Sequence, residues 1–109
     1  MKLNTKDLNN MAAENLFENA MNELRQIRKE NDMFFIIHRL RTCTAWVYET
    51  ENYYILRSYN TYIAAIEKST GYCADVLRKV YGYTSTSAQH IAKFMNDYGN
   101  RIKCYRWCY

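Results

Sequence analysis

The sequence predicts one α+β domain over residues 1–109: an antiparallel β-sheet meander with an N-terminal amphipathic helix, a second helix near residues 86–98 and a C-terminal strand. Three observations predict it. Leu8, Ala12, Leu16, Ala20 and Leu24 recur every four positions, the spacing of one helix face. Residues 42–77 then change to short runs of β-branched and aromatic residues separated by polar turns. Near the end, Thr84-Ser85-Thr86-Ser87 offers helix caps before an apolar stripe, and alternation resumes at Arg101.

The first helix is expected over residues 5–29. Asn4 or Thr5 can cap it, and Asp7 sits in the first turn, where the helix dipole favours an acid. Arg25, Arg28 and Lys29 crowd the last turn, where positive charge is favoured, and Asn31-Asp32 ends the pattern. Residues 33–37 fit a buried strand or a short helix, and strand is preferred. Residues 42–49 are a strand with Cys43, Ala45 and Val47 on one side and Thr44, Trp46 and Tyr48 on the other. A turn at 50–52 leads to a strand at 53–58. Tyr59-Asn60 is a bulge or corner, with Asn60 a candidate either for an unusual backbone conformation or for an exposed hydrogen-bonding amide. Residues 61–66 and 72–77 are strands joined by a hairpin loop, which Gly71 closes in a left-handed conformation.

In the second helix, Ala88, Ile91, Ala92 and Met95 share a face, and Gly99 stands just past its end. Residues 101–109 form the last strand. Ile102, Cys104, Arg106 and Cys108 lie on one side, and Arg101, Lys103, Tyr105, Trp107 and Tyr109 on the other.

The net charge of +4 is unevenly placed: residues 1–32 carry −1 and residues 33–109 carry +5. That balance suits a nucleic acid or an acidic protein as partner. Eleven tyrosines suit both a packed sheet and a contact surface. The four cysteines, at 43, 73, 104 and 108, lack zinc-site spacing and read as free thiols, with no metal and no cofactor expected. The longest apolar run, 33–37, is too short to cross a membrane, and the first residues contain no signal-peptide core, so a reducing cytoplasm is expected.

A catalytic reading finds little support. Neither His38 nor His90 has a carboxylate at helical spacing, and no phosphate loop, dinucleotide fingerprint or nucleophile elbow is present. The chain is therefore expected to bind rather than catalyse. Two constellations could carry that. Arg101, Lys103, Tyr105 and Trp107 interleave cations with aromatics on one face of the last strand, as single-strand nucleic-acid binders do. A covered sheet face, with cationic stems lying over aromatic rings, would show the same pattern. The second joins Arg57, Tyr59, Asn60 and Tyr62 with Arg78, Lys79, Tyr81 and Tyr83.

Tyr53-Tyr54-Ile55-Leu56-Arg57-Ser58-Tyr59-Asn60-Thr61-Tyr62-Ile63-Ala64 and Tyr83-Thr84-Ser85-Thr86-Ser87-Ala88-Gln89-His90-Ile91-Ala92-Lys93-Phe94 resemble a family of short phage and prophage reading frames of Gram-positive bacteria. Small phage proteins of that setting include anti-CRISPR inhibitors. The resemblance therefore implies an anti-defence protein in the cytoplasm of a bacterial host cell. Its expected partner is a CRISPR effector such as Cas9, or its guide-RNA complex, which it would block by stoichiometric binding. The alternative is a nucleic-acid-binding phage regulatory protein, contacting RNA or DNA directly. The shared residues look structural and assign no inhibitory site.

Overall fold

A computed structural model describes residues 5–29, 36–40, 44–80, 85–99 and 103–107. The elements in chain order are α1 (Thr5–Lys29), β1 (Ile36–Arg39), β2 (Ala45–Glu49), β3 (Tyr53–Ser58), β4 (Thr61–Glu67), β5 (Cys73–Asp75), α2 (Leu77–Val80), α3 (Ser85–Tyr98) and β6 (Cys104–Arg106). The six strands form one sheet in sequential order. β1 to β5 run as an antiparallel meander, and the fold is α+β. No described helix is long and apolar enough to cross a membrane.

The sheet differs from a pure meander at its end. β6 pairs with β5 in parallel, Cys73 opposite Cys104 and Asp75 opposite Arg106. A parallel partner needs a long crossover, and α2 and α3 supply it. Within the described residues β6 spans only Cys104–Arg106, shorter than the expected 101–109. The expected strand at 72–77 likewise stops at Asp75. The Asp75 carboxylate accepts the Leu77 N–H at 3.1 Å and starts the single turn of α2.

The two long helices cover opposite faces, so the domain has two cores. α1 packs chiefly over β4, β5 and β6. Ala13, Leu16, Phe17, Ala20, Met21 and Leu24 meet Tyr53, Ile55, Ala65, Ala74 and Val76 there. On the other face Ile91, Phe94 and Met95 of α3 meet Val47, Leu56, Ile63, Ala64 and Ile66. The buried stripe of α1 is rotated from the expected one, and Leu8 and Met11 are 53% and 51% exposed. A repeat of four drifts by roughly 40° per step around a helix of 3.6 residues per turn. Alternating steps of four and three through Ala13, Phe17, Ala20 and Leu24 stay on the sheet.

Turn chemistry places the strands. Gly71 has φ 76°, the left-handed conformation a hairpin loop needs there, and donates its N–H to Glu67 at 2.9 Å. Between β3 and β4 the two-residue turn is Tyr59-Asn60, and Tyr59, not Asn60, takes the left-handed conformation at φ 53°. A bulge follows: Leu56 pairs with Ala64 and Arg57 with Tyr62, leaving Ile63 unopposed. Ile63 and Ala64 therefore both reach the α3 core, while Tyr62 and Ala65 face α1.

Candidate functional site

The meander aligns one row of side chains across four strands. Arg39 pairs with Trp46, Trp46 with Arg57, and Arg57 with Tyr62. Strand alternation places all four on the α1 side of the sheet, where Trp46 and Tyr62 pack against the α1 core. Arg39 is exposed, and Trp46, Arg57 and Tyr62 are half-buried. The result is a basic–aromatic–basic–aromatic ladder.

Arg57 is held in place. Its guanidinium carbon lies 5.1 Å from the centre of the Trp46 ring. One terminal nitrogen donates to the Tyr48 hydroxyl at 2.9 Å and the other to Asn60 Oδ1 at 3.0 Å. The Tyr48 ring meets Tyr62 edge-on at 5.4 Å. Asn60 is on the tight turn, so the left-handed Tyr59 is what brings its amide back to Arg57. The acids of α1 near this side are engaged elsewhere: Glu14 with Lys79 at 2.6 Å, Glu18 with Arg25 at 3.9 Å, and Glu23 with Asn52 at 2.9 Å. Among the described residues neither Arg39 nor Arg57 forms an ion pair with a carboxylate.

The other residues singled out from sequence fall into separate places. Tyr59 is 43% exposed at the turn. Lys79 lies against α1, with its ammonium 5.0 Å from the Trp107 ring. Trp107 and Tyr105 are half-buried against the α1 core, so these two aromatics of the final segment lie on the covered side of the sheet. Lys103 is exposed, 5.3 Å over Tyr72, and Tyr72 packs edge-on to Tyr105. Arg78 is exposed on α2. Tyr81 and Arg101 lie outside the described residues. The structure thus unites Arg57 with Asn60 and Tyr62 but does not join them to Lys103, Tyr105 or Trp107. Sequence reasoning missed Arg39 and Trp46. The basic run around His38 and the alternation of residues 42–49 were visible, but the register that joins them was not.

Two further clusters form on the α3 side. His38 Nε2 lies 2.9 Å from Glu49 Oε1, and Lys68 donates to Glu49 Oε2 at 2.7 Å. The Lys68 hydrogen bond, and then that of His38, hold the Glu49 carboxyl below its usual range. Lys68 also lies 4.8 Å over Tyr54, which packs on Tyr98 at 4.9 Å. The sheet thus gives His38 a carboxylate that linear spacing did not show. At the opposite end Ser58 Oγ lies 2.8 Å from His90 Nδ1 and 3.1 Å from Ser87 Oγ. That distance would suit a hydroxyl nucleophile and its base, but Ser58 is 2% and His90 6% exposed beneath α3. A substrate has no access there, and the network ties α3 to the sheet.

The two described cysteines add no assembled site. Cys73 and Cys104 are free thiols, and burial pushes the Cys104 thiol up to about 11, away from reactivity. Among the described residues no three His, Cys, Asp or Glu side chains gather as metal ligands.

No curated protein and no solved structure shows a significant match to the chain. One family matches residues 11–108, which takes in the sheet, both cores and the Arg39–Tyr62 row. On that match the chain belongs to the family of unknown function DUF8033.

Proposed function

We propose that this chain acts by stoichiometric binding, and that the Arg39–Trp46–Arg57–Tyr62 row is its contact surface for an anionic partner. The observation that carries the reading is the clamped Arg57, placed over the Trp46 ring and fixed by Tyr48 and Asn60. A long side chain normally loses rotamer freedom on binding, and this one has lost it already. Arg and aromatic residues are also the groups that dominate binding energy at interfaces. The resemblance to short phage reading frames supports the biological setting: an anti-defence protein that blocks nucleic-acid engagement or cleavage by a CRISPR effector such as Cas9. A basic face argues against mimicry of DNA and favours the guide RNA or an acidic protein surface. A phage regulator that binds nucleic acid directly would use the same row.

The test is target-DNA cleavage by a Cas9–guide complex titrated with the chain. Cleavage is expected to stop near equimolar chain. Changing Arg39 and Arg57 together to Glu is expected to abolish inhibition, while Arg101→Glu with Lys103→Glu retains it. Unimpaired cleavage at large excess would sink the Cas9 reading. Inhibition that survives the Arg39/Arg57 reversal would sink the row as the contact surface.

A further inference from the structure

We infer that β1 is a docking edge that takes an acidic, extended segment of a protein partner as a further antiparallel strand of the sheet. The inference rests on the reading of the Arg39–Tyr62 row as the contact surface, and it names the class of partner and its way of binding. β1 is an outer strand: β2 lies on one side of it, and no described strand lies on the other. The hydrogen-bond phase of the meander fixes which of its backbone groups face outward. Leu40 donates its N–H to Ala45 at 3.0 Å, and Tyr59 donates to Thr44 at 2.7 Å. Along an antiparallel pair, residues that exchange such bonds alternate with residues that do not. Thr44, Trp46 and Tyr48 therefore bond to β3, which leaves Ala45, Val47 and Glu49 for β1. Their partners are Leu40, His38 and Ile36, so the N–H and C=O of Ile37 and Arg39 point off the sheet.

The side chains beside those outward groups specify what adds there. Ile37 and Arg39 pair with Tyr48 and Trp46, so both stand on the α1 side, at the outer end of the row. Ile37 is 50% exposed, Arg39 is exposed, and Arg39 has no carboxylate partner among the described residues. An added antiparallel strand exchanges bonds with Ile37 and Arg39 and sets its own alternate residues directly opposite them. Opposite charges and apolar pairs facing each other in this way stabilise a sheet. Glu or Asp therefore matches Arg39, and an apolar side chain two positions later matches Ile37. Backbone bonds supply affinity in this mode of recognition, and the alternate side chains supply selection. A nucleic acid offers the negative charge but no alternating amide donors and carbonyl acceptors at strand spacing. A second copy paired through β1 would bring Arg39 no acid, since Ile36–Arg39 contains none.

The experiment titrates the protein with a short capped peptide of Thr residues that carries Glu and, two positions later, Val. A single-stranded oligonucleotide is titrated beside it. Binding is read by fluorescence anisotropy, and strand addition by hydrogen exchange at the amides of Ile37 and Arg39. With saturating peptide both amides are expected to exchange about tenfold more slowly, while that of His38, already held by β2, is unchanged. Arg39→Glu is expected to weaken binding about tenfold, and a peptide with Lys in place of its Glu to restore it. Ile37→Pro removes only an outward N–H, where an edge strand admits proline, and is expected to abolish binding. A peptide N-methylated at its Glu and Val amides is expected to lose binding as well, which covers the case of a variant that folds poorly. Undiminished binding of the N-methylated peptide, or unchanged exchange at Ile37 and Arg39, would overturn the inference. So would an oligonucleotide that protects these amides where the peptide does not, or a dimer of the chain that Ile37→Pro dissolves. If the peptide does not bind while inhibition of the effector still depends on Arg39 and Arg57, strand addition is wrong and the contact surface stands.

Discussion

Ser58 Oγ and His90 Nδ1 lie 2.8 Å apart beneath α3, joining the end of β3 to the middle of a helix that follows it by a whole crossover. The other ring nitrogen of His90 faces the Thr44 hydroxyl at 3.4 Å. Burial holds the imidazole below its usual 6.5. The unfolded chain therefore takes up this proton first, and stability falls as pH drops below about 6.5. The melting temperature of the protein is expected to be flat above about pH 7.5 and to decline toward about pH 5.5. His90→Gln should lower the melting temperature at pH 8 but remove part of that decline. An unchanged slope in the variant would show that His90 does not couple folding to pH.

Glu49 predicts a second, more acidic limb. Its carboxyl is held below the ordinary 4.5 by Lys68 and then by His38. The stability it contributes is fully present above about pH 4.5 and is lost as pH falls through the lower value of the folded state. The groups are partly exposed, so the contribution is at most about 1 kcal/mol and is screened by salt. Glu49→Gln is expected to lower the melting temperature slightly at neutral pH and to flatten its fall below about pH 4.5. Parallel acid limbs in the two proteins would rule the cluster out as a stabilising element.

Gly99 follows α3 as the sequence suggests, but its backbone is not left-handed, since Tyr59 and Gly71 are the positive-φ residues among those described. Its reason is space. A Cβ there would stand 2.7 Å from Ile66 Cδ1 and 2.8 Å from Cys73 Sγ, both in the α3 core. Gly99→Ala is expected to destabilise by about 1–3 kcal/mol, because two buried side chains must shift to admit the methyl group. Chemical unfolding would read this as a lower midpoint at unchanged slope. A midpoint equal to the parent's would mean that the helix end shifts freely.

Tyr59 is strained by its φ of 53°, a conformation that costs a residue with a Cβ roughly 1–2 kcal/mol. Its ring makes one described aromatic contact, a tilted approach to His90 at 6.1 Å. Tyr59→Gly is expected to leave stability unchanged or raise it by about 1 kcal/mol, the relief of strain being offset by glycine's flexibility. A loss of more than about 2 kcal/mol would assign the ring a packing role that its 43% exposure does not suggest.

The cysteine spacing leads to one more expectation. A strong chelator should leave the melting temperature unchanged, because no metal-binding energy would be lost. A large drop would show a site built partly from Cys43 or Cys108, which lie outside the described residues.

By itself the sequence determined what is local. The bounds of α1, the strand Tyr53–Ser58 and the left-handed Gly71 all follow from periodicity and turn chemistry within a few residues. So does the division of β2 into an Ala45–Val47 side and a Trp46–Tyr48 side. Only the tertiary structure decided which helix covers which side, that β6 enters in parallel, and that the α1 stripe runs through Ala13 and Phe17 rather than Leu8. The candidate site belongs to this second group. Arg57, Asn60 and Tyr62 were visible as a local cluster, but Arg39 and Trp46 join them only through strand register. Tyr105 and Trp107 alternate with Lys103 as a contact strand would, yet their rings lie under α1. Register and cover are settled by both sheet faces burying their apolar sides at once, across contacts between residues far apart in the chain. A one-residue slip would exchange every side chain between the two cores, and no run of neighbouring residues records which alternative wins.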